Sequence, residues 1–130
     1  MRGVLLVAMA VLLGAAGEPR AAIELNRLEP RDGGGCRVWL LLRNPTPVAH
    51  ERVRLDLLLF GRDGVVARRL VVDAGALPAE KTMARIFDVP GLECGAIGSV
   101  LLNDVPACAA EPCLPQFATA SRVPGVALER

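Results

Sequence analysis

Few side chains in this chain of 130 residues have the chemistry to attack a substrate or hold an ion. It has one histidine, His50, two serines, Ser99 and Ser121, and four cysteines, Cys36, Cys94, Cys108 and Cys113. Nucleophilic catalysis needs an activated Ser or Cys beside a general base. Ser99 falls within a strand pattern and Ser121 near the C-terminus, and neither sits in a strand-to-helix elbow. His50 closes the proline-rich stretch Asn44–His50 (NPTPVAH) with no second His at helical or hairpin spacing. Cys108 and Cys113 lack the spacing of a zinc knuckle. No catalytic residue, metal site or cofactor is therefore expected. Asp56 and Asp73, brought close across a hairpin, would be the carboxylate pair for glycoside hydrolysis. Their strands are rich in arginine, however, so cross-strand ion pairing is the simpler expectation.

The remaining motifs carry less. Gly33–Gly35 is followed by no helix and no Gly-Lys-Ser/Thr, so it is not a phosphate loop. Phe60, Phe87 and Phe117 are too far apart in sequence to interleave with basic residues as a base-stacking platform. The four arginines Arg52, Arg54, Arg68 and Arg69 give one hairpin an arginine-rich face. Such a face is ordinary as a solvated surface. As a partner-docking face it would use the planar guanidinium fork to pair carboxylates.

Charge offers no electrostatic argument for nucleic acid or an anionic membrane. The 15 basic and 14 acidic residues become 14 and 14 once Arg2 is removed with the N-terminal segment. That segment, residues 1–17, places Arg2 before an apolar run from Val4 to Leu13 and then the small residues Gly14–Gly17. This is the order of a secretory signal peptide, and the run is shorter than the roughly 20 apolar residues of a membrane span. Cleavage is expected between Ala15 and Ala22, with Ala16 or Gly17 favoured. All four cysteines lie beyond it, an even number in an oxidising compartment, so disulfides are expected and the address is periplasmic or secreted.

The elements that must position these residues are strands. Glu51–Asp73 is the organising stretch: Val53, Leu55, Leu57 and Leu59 alternate with Arg52, Arg54, Asp56 and Leu58, Gly61–Gly64 turns, and Val65–Val72 returns. Ile23–Leu28 alternates too, with Ile23, Leu25 and Arg27 on one face. Cys36–Asn44 is continuously apolar and reads as a central strand covered on both faces, with Trp39 as a core aromatic. Ala74–Lys81 reads as a turn-rich connection with Leu77 tucked inward. Thr82–Val89 is a strand whose buried face is either Met83/Phe87/Val89 or Ala84/Ile86. Ile97–Val105 is another, ended by Pro106. Residues 108–130 read as a C-terminal tail in which Phe117–Ala120 would add at most a short edge strand. Six candidate strands with frequent turns and no amphipathic helix predict an antiparallel β-sandwich over residues 23–107.

The run LLLRNPTPVAHERVRLDLLLFGRDGVVARR, followed by LPAEKTMARIFDV, resembles the bacterial immunoglobulin-like modules called FxLYD-type domains. Asn44, Phe60, Asp63, Gly64, Leu77 and Pro78 fall near the positions of that pattern, over about half the chain. The resemblance implies an all-β, immunoglobulin-like antiparallel sandwich of six to seven strands, exported or tethered in the envelope, with no catalytic residues. Four cysteines allow three pairings. In an immunoglobulin-like order, the strands beginning at Cys36 and after Cys94 run the same way from the same end. That predicts Cys36–Cys94. Cys108 lies about a strand length away, roughly 20–30 Å, and is left to Cys113.

Together these readings describe a non-catalytic periplasmic or secreted domain that binds a protein partner in the cell envelope and is a monomer on its own. The rival class is a small periplasmic hydrolase or hydrolase inhibitor using the loops Asn44–His50 and Pro90–Cys94, with His50 and Asp104 as its first candidates. A third reading is an edge-strand donor within a larger envelope assembly.

Overall fold

Among the described residues, eight strands build two four-stranded sheets. One holds β1 (Ala21–Pro30), β2 (Cys36–Asn44), β5 (Lys81–Val89) and β7 (Phe117–Ser121) in the order β5-β2-β1-β7. The other holds β3 (His50–Gly61), β4 (Val66–Leu77), β6 (Ile97–Ala107) and β8 (Ala127–Glu129) in the order β4-β3-β6-β8. The computed structural model describes residues 3–8 and 19–130. Most of the expected leader, residues 1–17, and the favoured cleavage residues Ala16 and Gly17 lie outside the described residues. The fold is a β-sandwich, as the strand pattern predicts.

The β3–β4 hairpin forms where Gly61–Gly64 turns. Gly64 takes φ +80, which its missing Cβ permits, and the Asp63 carboxylate accepts the Val65 N–H at 3.0 Å. Alternation then does the rest: Val53, Leu55, Leu57 and Leu59 all face the other sheet and are at most 2 % exposed. Burying each of these side chains stabilises by roughly 1.5–3 kcal/mol relative to exposure. Opposite them stand Ile23, Leu25, Val38, Leu40 and Leu42, also buried. Within β5, the inward set is Met83, Phe87 and Val89, and Ile86 is exposed.

Several local expectations are corrected. A bulge between Leu25 and Arg27 shifts the phase of β1, so Arg27 turns outward opposite Trp39 and Leu28 moves to the inner side opposite Val38. Trp39 is not core. The inward positions of β2 belong to Cys36, Val38, Leu40 and Leu42, so Trp39 lies half-buried on the outer face, its Nε1–H donating to Glu29 at 3.1 Å. β2 is central, as expected, but its outer face is only half covered. β4 does not stop before Ala74. It bulges there and continues to Leu77, which is fully buried.

The largest difference is the C-terminal segment. The boundary placed at Ala107 does not set off a tail, because β7 joins the edge of β1 and β8 joins the edge of β6, both in parallel. Neither needs an in-sheet crossover helix. The chain leaves β6 at one end, passes to the other sheet and enters β7 reversed, which makes it parallel to β1. The sandwich thus has antiparallel centres, two parallel edges and one to two strands more than expected. Phe117, from this segment, is the largest fully buried side chain.

Candidate functional site

The two disulfides stand at opposite ends of the sandwich. Cys36–Cys94 joins the start of β2 to the turn before β6, Cα–Cα 4.9 Å, and so ties one sheet to the other. Cys108–Cys113 closes a short loop beyond β6, Cα–Cα 5.8 Å. Both pairings are those expected from strand order. With all four cysteines oxidised, the chain belongs to an oxidising, extracytoplasmic setting.

At the second end, β2 stops at Asn44 because Pro45 and Pro47 cannot continue a ladder. Asn44 is 1 % exposed and organises the loop. Its Nδ2 donates to the carbonyls of Val48 (2.7 Å) and Pro78 (3.0 Å). Its Oδ1 accepts the Thr46 N–H (3.1 Å) and hydroxyl (2.6 Å), and the Thr46 carbonyl accepts the Glu80 N–H. One side chain thereby holds two loops.

His50 opens β3 and is 3 % exposed. Its ring lies 5.4 Å from that of Phe117, and its Nδ1 accepts the Ala109 N–H at 2.9 Å. A backbone N–H aimed at Nδ1 requires that nitrogen to be unprotonated, so the neutral imidazole carries its hydrogen on Nε2. Burial lowers the His50 pKa, which favours this neutral form. Nε2 has no protein partner among the described residues. The Cys108–Cys113 loop is fixed on its other side by Gln116, whose Nε2 donates to the carbonyls of Ala110 and Pro112.

These groups border a cleft of about 670 Å³. Pro45, Pro47, Val48 and Pro115 supply apolar walls, His50 lines it, and Arg20 adds a guanidinium. The arrangement can bury an apolar group while offering one neutral N–H and one cation to an acceptor. Among the described residues, neither serine stands beside the imidazole: Ser121 donates to the Val126 carbonyl and Ser99 lies on the outer side of β6 opposite Phe60. Among the described residues, no group of three or more His, Cys, Asp or Glu side chains is placed to hold a metal ion.

The loops Asn44–His50 and Pro90–Cys94, which a hydrolase or inhibitor would have to combine, lie at opposite ends of β2. Asp104 is exposed near the end of β6, its Oδ1 accepting the N–H of Val105.

The four hairpin arginines do not share a face. Arg68 and Arg69 are neighbours in a strand, so they point oppositely. Arg68 stands opposite inward Leu59 and reaches the Pro90 carbonyl at 3.0 Å. Arg52, Arg54 and Arg69 are on the outer side. Arg52 pairs with Asp73 at 3.1 Å, and Arg69 forms a fork on Asp56 with both contacts at 3.0 Å. Asp56 and Asp73 are therefore ion-pair partners rather than a pair of acids. The Arg69 hydrogen bonds, opposed by burial and aided by Asn103, hold the Asp56 carboxyl below its ordinary range. Arg54, opposite Asp73, keeps a buried Nε without a partner.

Sequence reasoning missed the matching carboxylate on the other sheet. Glu24 is 6 % exposed, with Arg122 at 2.9 Å and Arg43 at 3.1 Å. Burial pushes its carboxyl up, but hydrogen bonds from Arg122, Asn26 and Arg43 outweigh this and hold it low. Arg122 is far away in sequence, so alternation along β1 carried no signal of the pair.

No protein-family model, curated protein or solved structure matches the chain.

Proposed function

We propose that this chain is an exported, non-catalytic immunoglobulin-like module, periplasmic or secreted, that binds a protein partner in the cell envelope through the cleft beside His50. The observation that carries the reading is the buried imidazole whose Nδ1 is spent on the Ala109 N–H and whose Nε2–H is left to the cleft. The Nε2–H is open to solvent rather than sealed in the core, so an acceptor on a partner would take the place of water there. Two loops held by Asn44 and a disulfide fix the walls around it, so a partner's side chain would meet a site already formed. The leader-like Val4–Leu13 run supports export. The resemblance to FxLYD-type modules supports a non-catalytic role.

Photo-crosslinking from position 48 tests this reading in cells, because Val48 is both exposed and part of the cleft wall. A discrete adduct with one envelope protein is expected, lost in His50→Ala and absent when the crosslinker sits at Ile86, exposed on β5 and outside the cleft lining. Equal adducts at both positions, or none above background, would count against the cleft. Intact-mass analysis of fractionated cells tests export: the mature protein is expected to begin between Ala16 and Ile23. A membrane-held species still starting at Met1 would overturn that part.

A further inference from the structure

The two sides of the sandwich are closed differently. On one, β7 and β8 run along the two sheets and the chain itself crosses between them. On the other, β4 and β5 are both free edges. Arginine covers part of that opening: Arg85 of β5 donates to the carbonyls of Ala74 and Ala76. Below Ala74, among the described residues, only β3 pairs with β4 and its outer edge is open. Val66 and Val71 are 49 % and 45 % exposed, and the run VVARRLVVD is rich in β-branched residues. A long uncovered edge of this kind is a template for another strand.

We propose that β4 pairs with β4 of a second copy of this chain, antiparallel about a two-fold axis at Val71, joining two four-stranded sheets into one of eight. The self-complementarity of the segment selects both occupant and register. A two-fold axis at Val71 sets Arg69 opposite Asp73 of the other copy, twice, Leu70 opposite Val72, twice, and Val71 against itself. An axis at Arg68 or Arg69 would instead set arginine against arginine, which is unfavourable directly across a ladder. Arg69, Val71 and Asp73 share the outer side of the sheet, since they stand opposite Leu58, Asp56 and Arg54.

Arg69 and Asp73 already have partners within one copy, yet their side chains remain 63 % and 50 % exposed. In the dimer they would complete a row of alternating sign across the joined sheet: Arg52, Asp73, then Arg69 and Asp56 of the second copy. The pairing spans Arg69–Asp73 and ends where Arg85 begins to occupy the edge, so no existing hydrogen bond has to break.

Sedimentation equilibrium of the mature protein, with two variants, decides the matter. The wild type is expected to self-associate reversibly to a dimer. Val71→Lys sets two ammonium groups face to face at the axis and should weaken the dimer by about tenfold or more. It replaces no residue of either internal ion pair, and an unchanged circular dichroism spectrum would show that it still folds. Val71→Cys should yield a disulfide-linked dimer under mild oxidation, and Val66→Cys, off the axis, should not. A wild type that stays monomeric at the highest attainable concentration would overturn the proposal. So would a Val71→Lys dimer as tight as the wild type, or equal crosslinking from positions 66 and 71.

Discussion

The two ends of the sandwich are closed by different kinds of bond. At one, a disulfide between Cys36 and Cys94 spans 58 residues of sequence and links the two sheets covalently. At the other, the disulfide spans only five, and the loops depend on the Asn44 amide, the Thr46 hydroxyl and the His50 imidazole. A covalent link leaves nothing to titrate and little to rearrange. Hydrogen-bonded loops around an open cleft remain sensitive to pH, to substitution and to a bound partner. The cleft proposed to bind a partner lies at the second, hydrogen-bonded end.

The largest expected effect breaks the covalent end. Replacing both Cys36 and Cys94 by alanine should cost about 4 kcal/mol, by the entropy of closing so long a loop in the unfolded chain. Urea titration under oxidising conditions measures it; a loss no larger than at the second disulfide would erase the contrast between the ends.

Asn44→Ala comes next, at about 3 kcal/mol, since it removes the buried amide that bonds the Val48 and Pro78 carbonyls and the Thr46 N–H and hydroxyl together. Hydrogen exchange should show faster opening confined to residues 45–49 and 78–80. Uniform opening of both ends would mean that Asn44 does not act locally. Replacing Cys108 and Cys113 by alanine should cost only about 2 kcal/mol because the loop is short. Its informative readout is the His50 environment by NMR, which should change as the Ala109 N–H loosens.

The smallest effect is on pH. His50 is held below its ordinary pKa of 6.5, so the folded protein binds its proton less readily than the unfolded chain does. The stability from the neutral ring is therefore complete above about pH 6.5 and declines as pH falls towards the folded pKa. Glu24 and Asp56 are also held low, so their contributions are lost further down, below their ordinary values of 4.5 and 3.8. His50→Asn, which keeps an acceptor near Nδ1 but cannot titrate, should remove the upper part of the slope and leave the lower. Persistence of the full slope in that variant would show that another group is responsible.

How far the sequence could be read depended on the range of the interaction involved. Period-two alternation put Val53, Leu55, Leu57 and Leu59 inside because neighbouring residues alone set which way a strand side chain points. The Gly61–Gly64 turn was legible for the same reason. Strand directions in an immunoglobulin-like order then gave both disulfides. At the candidate site, the loop Asn44–His50 was legible as a loop, and His50 as its one titratable group of interest.

Alternation misled wherever something broke it or where one strand had two faces of similar character. The bulge after Leu25 exchanged Arg27 and Leu28. Trp39 went outward because four smaller apolar residues already filled the inner positions of β2. Arg68 and Arg69 looked like one patch by composition, and the pleat separated them.

By itself, then, the sequence determined an all-β sandwich, the inward face of its central hairpin and the cysteine pairing. All of these follow from short-range periodicity, turn chemistry and strand direction. Only the tertiary structure decided that the last residues complete both sheets, that Phe117 fills the core beside His50, that Arg122 neutralises Glu24, and that the Ala109 N–H fixes the imidazole tautomer. Each joins residues distant in sequence, and the free energy of such a contact exists only once the chain has brought them together.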